Sequence, residues 1–151
     1  MQKITPCLWF DDRIEEAAKF YVSVFKGGRI ADMRRMPDGK VLTAHIEILG
    51  HTFMLLNGGP RYTFTEAVSF SVDCKDQAEV DYYWKALTAD GGEESMCAWV
   101  KDKYGLSWQI VPEALPRLLG GSDKAGANRA MQAMLQMRKI DIAALEKAYV
   151  G

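Results

Sequence analysis

Two stretches decide the fold: Leu8–Phe25, LWFDDRIEEAAKFYVSVF, and Phe70–Leu87, FSVDCKDQAEVDYYWKAL. They align without a gap at an offset of 62 residues. Each begins as an apolar strand, turns at Asp11 or Asp73, and continues as a helix. In the first helix Ala18, Tyr21, Val22 and Phe25 recur at the i, i+3, i+4, i+7 spacing of one face. Val80, Tyr83, Trp84 and Leu87 repeat that spacing in the second. Each helix then meets a double glycine, Gly27-Gly28 or Gly91-Gly92, which suits a C-terminal stop.

Working outward, three strand-like segments follow the first helix: Arg29–Met36, Val41–Leu49 and Thr52–Asn57. The tripeptide PDG (37–39) turns the chain between the first two, and Gly50 helps turn it between the second and third. Three shorter segments follow the second helix, near Glu93–Ser95, Cys97–Asp102 and Leu106–Val111, with DKYG joining the last two. The linker NGGPRYTFTE (57–66) separates the halves, so the chain reads βαβββ twice.

After Pro112 the pattern changes. PEALPRLL is a short helix candidate. SDKAGANRAMQAMLQMRK begins with a Ser122 or Asp123 cap and carries Met131, Met134 and Leu135 as an apolar face. DIAALEKAY (141–149) continues with Ile142, Leu145 and Tyr149. A methionine stripe at helical spacing reads first as packing.

Bulk properties narrow the function. The chain has 151 residues, 48% hydrophobic and 26% charged, with net charge −1. No Lys/Arg run exceeds two residues, which argues against a nucleic-acid footprint or a polybasic membrane patch. No apolar run approaches the ~20 residues of a membrane span. The start, MQKITPCLWFDD, lacks the apolar stretch of a signal peptide. Cys7, Cys74 and Cys97 are an odd number without CxxC spacing, which fits a reducing compartment. The expected location is therefore cytoplasmic.

The paired βαβββ module resembles the vicinal oxygen chelate superfamily, which includes glyoxalase I, extradiol dioxygenases and bleomycin-resistance proteins. FMLLNGGP (53–60), FTEAVSFSVDCKDQAEVDYYWKAL (64–87) and CAWVKDKYGLSWQIVP (97–112) narrow the resemblance to the PhnB-like family, catalogued as the 3-demethylubiquinone-9 3-methyltransferase domain. It covers about residues 2–119. It implies an α+β, glyoxalase-like fold of two tandem modules (about 2–57 and 66–112) whose curved mixed sheets enclose a cavity. A PhnB-type domain over 1–119 and a helical C-terminal extension over 120–151 are expected. The family also implies a homodimer. Its methyltransferase name finds no support in the residues, because an S-adenosylmethionine site of the Rossmann type wants a glycine-rich strand-to-helix turn. Here those turns are FDDRIE and VDCKDQ.

Strand alternation sorts the faces. Ile4, Leu8 and Phe10 suit the helix side, leaving Thr5, Cys7 and Trp9 inward. Val68, Phe70 and Val72 leave Ala67, Ser69 and Ser71 inward. Trp108 and Ile110 leave Ser107, Gln109 and Val111 inward. A DKYG hairpin sets Trp99 opposite Gln109 and Lys101 opposite Ser107. Thr43, His45 and Glu47 share one face of the third strand, with its side left open. Glyoxalase I-like members hold a metal from the first, fourth, fifth and eighth strands. Motif to motif, those positions are Thr5, Phe53 (or Met54), Ala67 and Gln109. Such a site wants converging imidazole, thiolate or carboxylate groups, so no metal and no cofactor are expected.

The expected ligand contacts are Thr5, Trp9, Ser69, Trp99, Lys101 and Gln109. Trp9 and Trp99 can stack on a planar ligand or fill the core. Lys101 can attract an anionic group or simply be solvated. His45 and Glu47 read either as an acid–base pair or as an exposed polar row. Cys7 and Cys97 show no partner that would make either a nucleophile. Asp102 and Gly105 suit a tight turn. The reading is a metal-free small-molecule-binding protein; whether it catalyses a reaction stays open. The alternatives are a metal-independent isomerase or lyase using Glu47 and His45, a drug-sequestering protein, and a methyltransferase.

Overall fold

The computed structural model describes all residues from Met1 to Gly151. The chain forms two compact units, Met1–Phe64 and Thr65–Gly151. The first holds β1 (Cys7–Phe10), α1 (Ile14–Val24), β2 (Arg29–Arg35), β3 (Val41–Ile48) and β4 (His51–Asn57). Its sheet order is β1-β4-β3-β2, with β1 parallel to β4 and the other pairs antiparallel. The repeat is thus real at the level of structure. The second unit begins with β5 (Ser69–Cys74) and α2 (Gln77–Thr88), followed by a single 3₁₀ turn. It continues through β6 (Glu93–Glu94), β7 (Trp99–Lys101) and β8 (Ser107–Pro112). Its order is β5-β8-β7-β6, again with the outer pair parallel.

Helix α1 packs on its sheet through Ile14, Ala17, Ala18, Tyr21 and Val24, all buried, with Phe25 at its end. Of the expected face Ala18, Tyr21 and Phe25 are buried, and Val22 alone is only half-buried. Beneath it lie Leu8, Phe10, Ala44, Ile46, Phe53 and Leu55. The opposite sheet face carries Trp9, His45 and Glu47. In α2 the expected quartet Val80, Tyr83, Trp84 and Leu87 is buried throughout. Asp76 caps that helix, its carboxylate accepting the Glu79 N–H at 2.9 Å. The turn therefore comes later than Asp73. Val72 and Cys74 stay buried and pair with Ile110 and Pro112, so the strand runs on. Ile4 and Val68 depart from the expected helix side. They precede their strands and are 84% and 62% exposed, because alternation holds only where a ladder fixes the pleat.

The hairpins have clear causes. Leu49 (φ 46°) and Gly50 (φ 79°) both adopt positive φ, as a two-residue β3–β4 turn with mirror-type twist requires. At PDG, the Met36 N–H donates to the Lys40 carbonyl at 2.8 Å and Gly39 takes φ 88°.

The tail forms α3 (Ala114–Leu119), α4 (Lys124–Met134) and α5 (Ile142–Val150). Leu115, Leu118, Ala130, Ile140 and Leu145 join Ala98 in one buried cluster. The apolar face expected for α4 is corrected. Gly126, Ala127 and Ala130 are its buried residues, while Met131 and Leu135 are exposed and Met134 is partly covered. A Cβ on Gly126 would stand 2.6 Å from the Tyr149 carbonyl oxygen, so close approach to α5 selects small residues there. Ile142, Leu145 and Tyr149 face that cluster as their spacing implies. No helix of the chain is long and apolar enough to cross a membrane.

Candidate functional site on the second sheet

Strand β8, SWQIVP, splits by alternation. Trp108, Ile110 and Pro112 are buried on the α2 side. Ser107, Gln109 and Val111 take the other face. The ladder then sets Trp99 opposite Gln109 and Lys101 opposite Ser107, as expected. On the other flank Ser69 stands opposite Ser107 and Ser71 opposite Gln109. The Gln109 carboxamide Nε2–H donates to Ser69 Oγ at 3.0 Å. Ser69, Trp99, Lys101 and Gln109, four of the expected contacts, thus lie on one sheet face.

Ser107 sits at the centre of that group. It is fully buried, and its Oγ has no hydrogen-bond partner. Most buried polar side chains find a partner, so this hydroxyl marks an unfilled bonding position. Lys101 is ion-paired with Glu66. That hydrogen bond holds the Glu66 carboxyl below its usual range and the Lys101 ammonium above its own, with Glu93 adding to the latter.

The hairpin beneath this face is pinned by Asp102, only 2% exposed. Its carboxylate accepts the Tyr104 N–H at 2.9 Å, the Leu106 N–H at 3.1 Å and the Trp108 indole N–H at 2.9 Å. The turn chemistry was readable in DKYG; the indole bond was not, since it depends on a side chain six residues away.

In the first unit the open question about β3 closes. His45 pairs with Met54 and Glu47 with Thr52. Met54 in turn pairs with Cys7 on β1, so both share the face of Trp9, away from α1. They do not form a pair with each other. His45 Nδ1 lies 3.0 Å from Asp32 Oδ1. The Arg29 guanidinium grips Glu47 at 2.8 and 2.7 Å. Asp32 and Arg29 were not singled out in the sequence, and cross-strand register is the signal that finds them. The Trp9 indole N–H donates to the Gly59 carbonyl at 2.9 Å, and its ring meets Tyr62 edge-on with centroids 5.0 Å apart. A Cβ on Gly58 would come within 2.3 Å of that ring. Trp9 therefore anchors the linker. Thr5 precedes β1 and is exposed.

The thiols are not poised. Burial pushes Cys74 up to about 12, with help from Glu79, Asp73 and Asp76. Partial burial also raises Cys7. The family's metal positions do not fit a metal. Phe53 lies in the core, Met54 takes the opposite face, and Thr5 and Ala67 are exposed. No three His, Cys, Asp or Glu side chains come close enough to share an ion. An S-adenosylmethionine site of the Rossmann type fits no better. The β5–α2 turn has no glycine, and the Asp76 carboxylate already occupies an N-terminal donor of α2.

Two four-stranded mixed sheets, each joined by a strand–helix–strand crossover, define an α+β protein with a glyoxalase-like fold. The family model described as 3-demethylubiquinone-9 3-methyltransferase matches residues 2–111, and the chain belongs to this PhnB-like family. A PhnB protein from Bacillus cereus is 32% identical with a TM-score of 0.68, over 74% of this chain and 99% of its own. The fosfomycin resistance protein FosX from Listeria monocytogenes is 15% identical with a TM-score of 0.54, over 74% and 91%. A glyoxalase/bleomycin resistance protein from Albidiferax ferrireducens is 14% identical with a TM-score of 0.51, over 72% and 96%. These last two share the fold. No protein of curated function matches the chain.

Proposed function

We propose that this protein binds a small, partly aromatic ligand on the β5-β8-β7 face of its second unit, without a metal, as a cytoplasmic homodimer. The observation that carries the proposal is Ser107. Its buried, unpartnered hydroxyl lies beside Ser69 and Lys101, two residues before Gln109 on the same strand face. A buried polar group left unbonded is costly, and a ligand atom would relieve it once the side chains that close over Ser107 part to admit it. Trp99 offers the stacking surface, Gln109 the amide contact and Lys101 a charge at the edge. Two neighbours of the same fold carry drug-resistance names, for fosfomycin and for bleomycin, which lends a drug-binding role some support by analogy of fold alone.

A flat bicyclic amide, 2-naphthamide, is a suitable probe: its rings match Trp99 and its amide matches Gln109. Gln109→Ala with an unchanged melting temperature should weaken probe binding about fivefold, the value of one side-chain hydrogen bond. Unaltered affinity removes Gln109 from the site. Native mass spectrometry tests the rest. A dimer carrying an extra small mass supports the proposal, and a stoichiometric metal overturns its metal-free part.

The second reading, a metal-independent isomerase or lyase, draws on the Asp32–His45 contact, which leaves His45 Nε2 available as a base. Its original partner Glu47 is held by Arg29, which weakens the two-residue version. Loss of turnover in His45→Gln at unchanged stability would favour it. The methyltransferase reading has the family name alone behind it. Measurable S-adenosylmethionine affinity would revive it.

A further inference from the structure

The strand carrying Trp99 and Lys101 does not start where its sequence allows. CAWVKD alternates from Cys97, yet β7 begins at Trp99. Cys97 (φ 55°) and Ala98 (φ 76°) both stand in the left-handed region. Non-glycine residues avoid that region, and they persist there only where the surroundings fix them.

Cys97 and Ala98 are the central pair of the β6–β7 turn, where the Trp99 N–H donates to the Met96 carbonyl at 3.1 Å and the Ser95 N–H to the Trp99 carbonyl at 2.9 Å. Such a turn needs positive φ at both positions, and further groups hold these two non-glycine residues in it. The Cys97 N–H donates to the Met137 carbonyl at 2.8 Å and the Ala98 N–H to the Arg138 carbonyl at 3.0 Å. The Ala98 carbonyl accepts the Ile110 N–H at 2.8 Å. Ala98 is 1% exposed, packed with Leu118, Ala130, Ile140 and Leu145. The tail itself is tied down separately. The Gln77 side chain donates to the Ile140 carbonyl and accepts the Ile142 N–H, both at 2.9 Å. Lys139 pairs with Asp81 at 2.9 Å.

We propose that the tail segment Met137–Arg138 is a positioning brace for the ligand face: it holds the Cys97–Ala98 corner left-handed and so sets Trp99 opposite Gln109. This rests on the reading of that face as a ligand site. The family match stops at residue 111, ahead of the tail helices. The brace is thus built from residues beyond the matched region, and it shapes a strand that lies within that region. Without the brace, Cys97 and Ala98 lack glycine's freedom to hold the left-handed turn, and Trp99 would lose its fixed corner.

The test uses Gln77→Ala, which loosens the tail from α2 without touching β7 or β8. Backbone amide exchange is read by NMR, and 2-naphthamide affinity by fluorescence. Exchange at Cys97, Ala98 and Ile110 should speed up about tenfold, with the Leu55 amide of the first unit unchanged. Affinity should fall about fivefold. Adding Cys97→Gly, which makes positive φ unstrained, should restore Ile110 protection and affinity, while the amides at 97 and 98 stay fast. Unchanged exchange in both Gln77→Ala and Ile140→Ala overturns the brace whatever the ligand. Faster exchange with level affinity overturns its positioning role. No probe binding to the unaltered protein overturns the ligand reading, and the brace's function with it, while leaving the exchange result standing.

Discussion

Ser107 and Asp102, five residues apart in sequence, are in opposite conditions: one buried hydroxyl has no partner, and one buried carboxylate accepts three N–H groups. Ser107→Ala removes an unbonded polar atom and should stabilise the protein by about 1 kcal/mol in urea unfolding, while weakening 2-naphthamide binding. A loss of stability instead would mean the hydroxyl finds a partner in solution. Asp102→Ala strands two backbone N–H groups and the Trp108 indole, at a cost of about 3 to 5 kcal/mol by the same measurement. A change under 1 kcal/mol would remove Asp102 as the pin of the hairpin. Alternation alone put Ser107 and Gln109 on the same face. The bonding state of each was not legible, because it depends on which atoms meet across strands rather than on residue type.

At the scale of elements, apolar spacing read α2 correctly residue by residue and misplaced α4. The difference is physical. Helix α2 lies on a sheet, where large side chains fill the interface. Helix α4 meets α5 at close range through Gly126, Ala127 and Ala130, so Met131 turns outward and Met134 is only partly covered. The strand from Cys97 starts later than its alternation suggests for a related reason: Cys97 and Ala98 form the β6–β7 turn, and their N–H groups bond tail carbonyls distant in sequence. The β3–β4 turn offers a simple check. Leu49 holds φ 46°, which a branched side chain tolerates poorly. Leu49→Asn should raise stability by about 0.5 to 1 kcal/mol, visible as a higher melting temperature. A decrease would show that Leu49 contributes packing instead.

For the molecule as a whole, the βαβββ repeat was legible because it is written in local apolar periodicity. The charge pairing was not. Arg35 holds the Glu15 carboxyl below its usual range, Lys101 does so for Glu66 and Lys139 for Asp81. A depressed carboxylate contributes stability that is fully present above its unfolded pKa and is lost as pH falls through the folded value. Melting temperature should therefore decline on acidification below the ordinary carboxylate range. These groups are exposed, so the decline should be shallow and should shrink in about 1 M salt. A steep, salt-insensitive drop would point to a buried acid instead.

The parallel pairing of first and last strands also sets the order in which the protein can be made. The first sheet lacks no strand once Asn57 has left the ribosome, since β1 needs only β4. The second sheet waits for Pro112, and its left-handed corner waits further for Arg138. At roughly 5–20 residues per second, that gap lasts several seconds. During it, Val72, Trp108 and Ile110 belong to an unfinished layer. The second half of the nascent chain is therefore where chaperones would find apolar surface.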